Sequence, residues 1–366
     1  MKENKVILVG GGSGGHIFPL IALSEELQAR SVPFVFVGSD FGLEKQIVTS
    51  YNLPFISIQS GKWRRYFTWK SFGANLVDIF RIVVGVFQAM RVIRKTRANT
   101  IVSKGGYVAV PMLIAGKLTG RKIVVHESDA VMGLTNRFGA KFAQNVLTAF
   151  SADTYPNADS RFIQAGIPIR KSLRQAAKLK SPKKSRPVIL IMPCSQGSSS
   201  INEFVTSSLK ELLSVADVVH MTGSGDYERC KSLVDELPEK LRNRYKVFAF
   251  IDRELPYYFQ LADLVIGRAS ATTIAESALF GRAVYLIPLP TAASDHQTVN
   301  AKKLESVDAA WVDKQSDLDA SKFKDRILEI LANPSRLKEV GDNLKRYFNV
   351  ESSLEKFMKV ITDEKN

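Results

Sequence analysis

Short apolar, β-branched runs recur along the chain, each bounded by glycine, proline or polar turns: Val6 to Val9, Phe34 to Val37, Phe55 to Ile58, Thr100 to Val102, Ile123 to His126, Val146 to Ala149 and Phe162 to Gln164. Helix-like stretches separate most of them. Continuous apolar strands that alternate with helices are those of a buried parallel sheet, so the pattern predicts a doubly wound α/β domain. The series then restarts with Val188 to Met192, Val218 to Met221, Val247 to Phe250, Leu264 to Ile266, Ala283 to Pro288 and Ala310 to Val312. Between the two series, Lys171 to Pro187 is polar and Lys-rich, with Pro182 and Pro187, as suits an exposed connection. The expected organisation is a first Rossmann-like domain over residues 1–170, a linker over 171–187, a second Rossmann-like domain over 188–345 and a C-terminal helix within 346–366. Two such domains facing a central cleft would aim the C-terminal ends of both sheets into it. Function is therefore sought in the loops that follow the strands.

The first of these loops is Gly10-Gly11-Gly12-Ser13-Gly14-Gly15-His16, placed between the strand ending at Val9 and a helix-like segment from about Leu20 to Ala29. A helix N-terminus offers unpaired N–H groups and partial positive charge, and glycine lets an anionic group come close to them. His16 stands where such a ligand would be. Gly10, Gly12 and Gly15 also satisfy G-x-G-x-x-G, and Asp40 follows about 25 residues on, near the end of the next strand. On this motif alone a nicotinamide-dependent oxidoreductase is a candidate.

Composition describes an ordinary globular protein of two domains: 366 residues, 45% of them hydrophobic. Cys194 and Cys230 are far apart with no CxxC or His-rich partner, so neither a disulfide framework nor a zinc site is expected and a reducing compartment fits. The apolar run ending at Val9 is too short for the core of a signal peptide, which predicts a protein that is not exported. The formal charge of +15 favours phosphate, nucleic acid or an anionic membrane surface. Its distribution narrows the choice. Residues 61–104 hold ten Lys or Arg against the single acid Asp78, interleaved with Trp63, Tyr66, Phe67, Trp69, Phe72, Phe80 and Phe87. From Leu76 to Ile93 the stretch is apolar but broken by Asp78, Arg81, Gln88 and Arg91, which excludes a membrane-spanning helix. It reads either as an amphipathic helix in a membrane interface or as a core helix with a solvated basic face. Nucleic acid ranks below both, because no RNP or helix-turn-helix pattern is present.

Other strand-end loops combine small and chemically active residues. Lys104-Gly105-Gly106-Tyr107 and His126-Glu127-Ser128-Asp129 lie in the first half; Ser195-Gln196-Gly197-Ser198-Ser199-Ser200, Gly267-Arg268-Ala269-Ser270-Ala271-Thr272-Thr273 leading to Glu276, and Ser294-Asp295-His296-Gln297-Thr298-Val299-Asn300-Ala301 lie in the second. Each alone is weak, but their order is specific. With Gly166-Ile167-Pro168-Ile169-Arg170 and Phe250-Ile251-Asp252, the chain resembles the MurG family of bacterial glycosyltransferases from Gly11 to about Ala301.

The resemblance implies the α/β GT-B fold and inverting transfer of N-acetylglucosamine from UDP-GlcNAc to the C4 hydroxyl of MurNAc in lipid I, giving lipid II for peptidoglycan. It places Ile251 by its backbone beside uracil, Glu276 on the ribose hydroxyls, Ser195 and Arg170 near the diphosphate, and Ala271, His296, Gln297 and Asn300 around the sugar. Ser13, Gly14, Gly15, Asp129, Gln196, Gly197, Arg268 and Ser270 complete the donor set, while Gly11, Gly12, Gly14, Gly15, Gly105, Gly106 and Tyr107 are expected to receive the acceptor diphosphate. His16 is the first candidate for the base that removes the acceptor proton, since imidazole titrates near working pH, with Asp129 and Glu127 as further catalytic candidates. Helix N-termini and arginines can carry the leaving-group charge, so no cofactor or metal is implied. The implied partners are UDP-GlcNAc, lipid I, an anionic membrane surface and cell-wall synthesis proteins. The implied location is peripheral, on the cytoplasmic side of the plasma membrane.

Three loops depart from the family pattern. Asp129 stands where the loop usually ends in Asn, placing a carboxylate on the acceptor side; Pro193-Cys194 replaces two glycines; and Ser270 replaces a third. Glycosyl transfer to another lipid such as a diacylglycerol, the oxidoreductase reading and a silent sugar-nucleotide-binding paralogue remain as alternatives.

Overall fold

Runs such as Val6-Ile7-Leu8-Val9 are buried along their whole length, which only a strand covered on both faces by helices allows. A computed structural model describes residues 5–61, 69–193 and 197–362 and divides the chain into two units, Met1–Arg170 with Glu351–Asn366, and Lys171–Val350.

The first unit runs β1 (Val6–Gly10), α1 (Gly14–Ala29), β2 (Phe34–Gly38), α2 (Leu43–Ser50), β3 (Phe55–Ser57), α3 (Trp69–Thr96), β4 (Thr100–Gly105), α4 (Ala109–Leu118), β5 (Lys122–Glu127), α5 (Leu134–Ala140), β6 (Asn145–Thr148) and β7 (Phe162–Gln164). Its seven strands are parallel, in the order β3-β2-β1-β4-β5-β6-β7. The second unit runs α6 (Lys171–Ala177), β8 (Val188–Met192), α7 (Ser199–Ser207), α8 (Leu209–Val215), β9 (Asp217–Met221), α9 (Tyr227–Glu236), α10 (Glu239–Arg242), β10 (Tyr245–Phe248), α11 (Leu255–Leu261), β11 (Leu264–Gly267), α12 (Ala271–Leu279), β12 (Ala283–Leu286), α13 (His296–Glu305), β13 (Trp311–Val312), α14 (Ala320–Leu331) and α15 (Pro334–Phe348). Its six strands are also parallel, in the order β10-β9-β8-β11-β12-β13. The chain then returns to the first unit as α16 (Ser353–Thr362), whose Leu354, Phe357, Met358 and Ile361 share a core with Leu8, Ile17 and Leu20.

In both sheets the strand order reverses once, between β1 and β4 and between β8 and β11. Loops diverge at such a point and leave a crevice at the carboxyl ends of the strands. The sequence-predicted loops fall there: Gly11 to Ser13 and Gly106-Tyr107 in one sheet, and the turns after Met192 and Gly267 in the other. Some boundaries differ from the sequence reading: β10 covers Tyr245–Phe248 where Val247 to Phe250 was expected, and the stretch read as a linker opens with α6. Helix α1 begins at Gly14 rather than near Leu20, because burial of Ile17, Leu20 and Ile21 overrides the weak helix propensity of glycine and the boundary signal of Pro19.

Candidate active site

His16 therefore sits in the first turn of α1, half-buried, with Nδ1 2.8 Å from the Gly11 carbonyl oxygen. A carbonyl only accepts, so Nδ1 carries the hydrogen and the basic lone pair of the neutral ring is on Nε2. The adjoining turns interlock. Gly106, at φ 81°, lies so close to the Gly11 carbonyl that any side chain there would strike it, and the Tyr107 ring lies beside Gly12. Sequence reasoning missed the carboxylate under this turn. Glu44 of α2 is 1% exposed and accepts from the Ser39 N–H, the Ser39 hydroxyl and the Gly12 N–H, the last at 3.2 Å. The Gly12 N–H is thus engaged within the protein.

The loop after β5 is built around Glu127. This buried carboxylate accepts from the Asp129 N–H at 3.0 Å, the Gly133 N–H at 2.9 Å and Asn136 Nδ2 at 2.9 Å, and burial followed by the nearby Asp129 charge pushes its pKa up. These bonds order the loop around Glu127. Asp129 is half-buried, its backbone carbonyl accepting from the Tyr155 hydroxyl at 2.9 Å. His126 is buried and held neutral chiefly by desolvation; its Nε2 donates to the Gly166 carbonyl at 3.0 Å and so ties down the Gly166 to Arg170 segment. Arg170 lies in the first unit, stacked 4.9 Å from the Phe18 ring and donating to the Tyr51 hydroxyl.

In the second unit, Cys194, Ser195 and Gln196 lie outside the described residues; Gly197, at φ 85°, packs against the Thr222 carbonyl with no room for a side chain. Arg268 joins the two switch-point loops. Its buried guanidinium donates to the carbonyls of Ile287 and Pro288, to the hydroxyls of Ser198 and Ser200, and to Gln315 Oε1. Its donors thus organise the turn ahead of α7. Ser270 precedes α12 at φ −75° and ψ 126°, ordinary extended backbone, so its replacement of a glycine carries no strain. Glu276 on α12 is 7% exposed and Ile251, after β10, is 1% exposed. Asn300 donates to the Ala269 carbonyl at 3.1 Å and Gln297 Oε1 accepts from the Leu289 N–H at 2.9 Å, so both brace the loops around α12. His296 opens α13 after Ser294 and Asp295, two consecutive non-glycine residues in the left-handed region, a local strain of the kind stored at functional sites.

A buried polar chain behind α7 had no sequence signal. His220 donates through Nε2 to Asn202 Oδ1 and accepts through Nδ1 from the Tyr245 hydroxyl, both at 2.9 Å, while Asn202 Nδ2 donates to the Thr222 carbonyl and to Asp226. It anchors α7 to the loop against which Gly197 packs. A cavity of about 590 Å³ in this unit, between Lys183, Lys246 and Tyr257, contains none of the sequence-predicted residues.

Helix α3 is packed on one side and exposed on the other. Ala89, Val92 and Ile93 pack into the core, whereas Val77, Phe80, Val83 and Phe87 are exposed, Phe80 at 69% and Phe87 at 67%. Among the described residues, no helix is long and apolar enough to cross a membrane. Lys62, Trp63, Arg64, Arg65, Tyr66 and Phe67 lie outside the described residues.

The glycosyltransferase family 28 N-terminal domain matches residues 6–148 and the family 28 C-terminal domain residues 188–358. A relative from Clostridium botulinum named UDP-N-acetylglucosamine–N-acetylmuramyl-(pentapeptide) pyrophosphoryl-undecaprenol N-acetylglucosamine transferase is 32% identical over 99% of this chain and 100% of its own. A relative of the same name from Clostridium perfringens is 35% identical over 95% of this chain and 93% of its own. The crystal structure of Acinetobacter baumannii MurG superposes with a TM-score of 0.78 at 27% identity, covering 99% of this chain and 100% of that one.

Proposed function

The chain belongs to glycosyltransferase family 28, among the N-acetylglucosamine transferases with the GT-B fold, and on that premise we propose that it transfers N-acetylglucosamine from UDP-GlcNAc to the MurNAc C4 hydroxyl of lipid I. It is a hexosyltransferase. The observation that carries the donor assignment is the switch point of the second sheet, where Arg268 binds the α7 turn to the loop before α12 and Glu276 lies further along α12. The N-terminus of α12 supplies oriented N–H groups for the diphosphate and Glu276 accepts from the ribose hydroxyls. Ile251 presents backbone to uracil, and the α13 start, with His296 and Gln297, faces the sugar.

In the reaction the acceptor O4 forms a bond to the anomeric carbon as the bond from that carbon to the β-phosphate oxygen breaks. The O4 proton passes to His16 Nε2, and UDP leaves with the electron pair. The configuration inverts. Diphosphate charge is stabilised by helix N-termini, while Ser13, Gly14, Gly15, Gly105 and Gly106 form the acceptor's own diphosphate cradle. The oxidoreductase reading loses its footing at the first turn, where Glu44 takes the Gly12 N–H that a dinucleotide pyrophosphate would use.

The exposed face of α3, with Phe80 and Phe87 beside Arg81 and Arg91, meets anionic lipid and brings the enzyme to a polyprenyl-linked acceptor at the cytoplasmic face of the membrane. The test is UDP release followed in a coupled assay. Release that requires both UDP-GlcNAc and a lipid I analogue supports the proposal, and release with a diacylglycerol acceptor instead would redirect it to another lipid.

A further inference from the structure

One peptide unit of the first glycine turn is held at both ends. The Gly11 carbonyl accepts from His16 Nδ1 at 2.8 Å, and the N–H joined to it across the peptide bond, that of Gly12, donates to Glu44 Oε2 at 3.2 Å. In a planar trans peptide these two groups point in opposite directions. A carboxylate on one side and an imidazole on the other therefore select one orientation of the plane. The backbone itself selects weakly, because both residues it joins are glycine, with Gly12 at φ 89°, and the plane can turn over at small steric cost.

Glu44 is in turn fixed from the other side. Its Oε1 accepts from the Ser39 N–H at 3.0 Å and from the Ser39 hydroxyl at 2.6 Å, just after β2. The carboxyl group fills a space that glycines leave open: a Cβ on Gly11 would lie 2.7 Å from its carboxyl carbon, and one on Gly42 would strike Oε1. A carboxylate with 1% exposure is retained only where hydrogen bonds offset its desolvation. Here those bonds come from the loop after β2 and from the turn that leads to His16, so one side chain joins the two.

The consequence falls on the histidine. While the Gly11 carbonyl faces the ring, Nδ1 carries the hydrogen and Nε2 keeps its lone pair. With the plane turned over, the Gly12 N–H would face Nδ1, the ring hydrogen would sit on Nε2, and that atom could take no proton. We propose that Glu44 is a positioning residue for the transfer reaction: by holding the Gly12 N–H it turns the Gly11 carbonyl toward His16 and keeps the imidazole in its basic tautomer. The proposal rests on the transferase reading. The carboxylate also polarises the peptide it holds, which strengthens the carbonyl as an acceptor.

Glu44→Gln keeps the shape but has one acceptor oxygen. Ser39, with the shorter contacts, takes that oxygen, and the amide NH2 is left against the Gly12 N–H. The experiment compares full-length wild type, Glu44→Gln, His16→Ala and the double variant in transfer from UDP-GlcNAc to a short-chain lipid I analogue. Glu44→Gln is expected to lose about tenfold or more in kcat with KM for UDP-GlcNAc unchanged, and to cost nothing further in the His16→Ala chain. An equal loss in both backgrounds would overturn the proposal, because Glu44 would then support the fold and not the histidine. NMR of the neutral histidine ring nitrogens reads the tautomer without turnover; the chain has four histidines, and the signal missing from His16→Ala identifies the one concerned. The hydrogen is expected on Nδ1 in wild type and to shift toward Nε2 in Glu44→Gln; the same tautomer in both would refute the role. Where Glu44→Gln folds poorly, wild type alone decides: slow exchange of the Gly12 amide with hydrogen on His16 Nδ1 supports the clamp, and a freely exchanging amide overturns it. A wild-type chain without transfer activity would refute the transferase reading, while the tautomer comparison would still judge Glu44.

Discussion

His16 donates its Nδ1 hydrogen to the Gly11 carbonyl at 2.8 Å, so one hydrogen bond fixes both the ring's orientation and its tautomer. The basic nitrogen is then Nε2, as proton abstraction requires. Replacing His16 with Ala is expected to lower kcat by about a hundredfold or more, the usual size of general-base catalysis, with UDP affinity unchanged by calorimetry. Full turnover in this variant would transfer the role to Asp129.

Glu276 is buried on α12, and the proposed donor site assigns it the ribose hydroxyls. Hydrogen bonds to charged groups contribute about 1.5–3 kcal/mol, so Glu276→Ala should weaken UDP binding by about tenfold or more. Calorimetric titration with UDP measures it, and an unchanged Kd would remove Glu276 from the donor site.

Arg268 bonds to five acceptors across three loops. Its truncation to Ala leaves the buried carbonyls of Ile287 and Pro288 without this donor and should cost about 3 kcal/mol or more of stability. Lys cannot reproduce the planar fork, so Arg268→Lys should recover little. Urea unfolding of both variants checks this; a Lys variant as stable as wild type would show that charge alone suffices there.

Burial holds His220 down at about 3 in the folded chain, against an ordinary 6.5. Because its folded pKa is depressed, the unfolded chain takes up a proton below pH 6.5 that the folded chain refuses. The stabilisation is complete above that value and is lost as pH falls toward 3, with a slope approaching about 1.4 kcal/mol per pH unit. His220→Gln should be less stable at neutral pH, since it disturbs the bonds to Asn202 and Tyr245, yet flatter with pH in this window. Parallel decline of urea midpoints in variant and wild type would contradict this origin of the acid sensitivity.

The outward face of α3 predicts binding to vesicles of anionic lipid that depends on its aromatic residues. Changing Phe80 and Phe87 to Ser should reduce co-sedimentation several-fold, and neutralising Lys62, Arg64 and Arg65 should reduce it further and weaken its salt dependence. Retained binding after both changes would place the membrane contact elsewhere.

The strand pattern and the order of the glycine-rich loops were legible because strands covered on both faces are apolar throughout and their turns need small residues. Helix α1 began earlier than its sequence indicated, since the packing of Ile17 outweighs the glycines before it. Glu44, Asn136, Asn202 and Gln315 had no local signature. Glu44 meets Gly12 across 32 positions and Gln315 meets Ser200 across 115, and only the assembled sheets bring such residues together. The same holds for the bonds that Arg268 and Glu127 make to the protein's own loops.

The central claim is glycosyl transfer, and the most direct measurement is product formation from radiolabelled UDP-GlcNAc and a short-chain lipid I analogue, with wild type and His16→Ala side by side. The account predicts labelled lipid II from the wild type and a turnover lower by about a hundredfold or more from the variant. No labelled lipid from a wild-type chain that binds UDP-GlcNAc would contradict it.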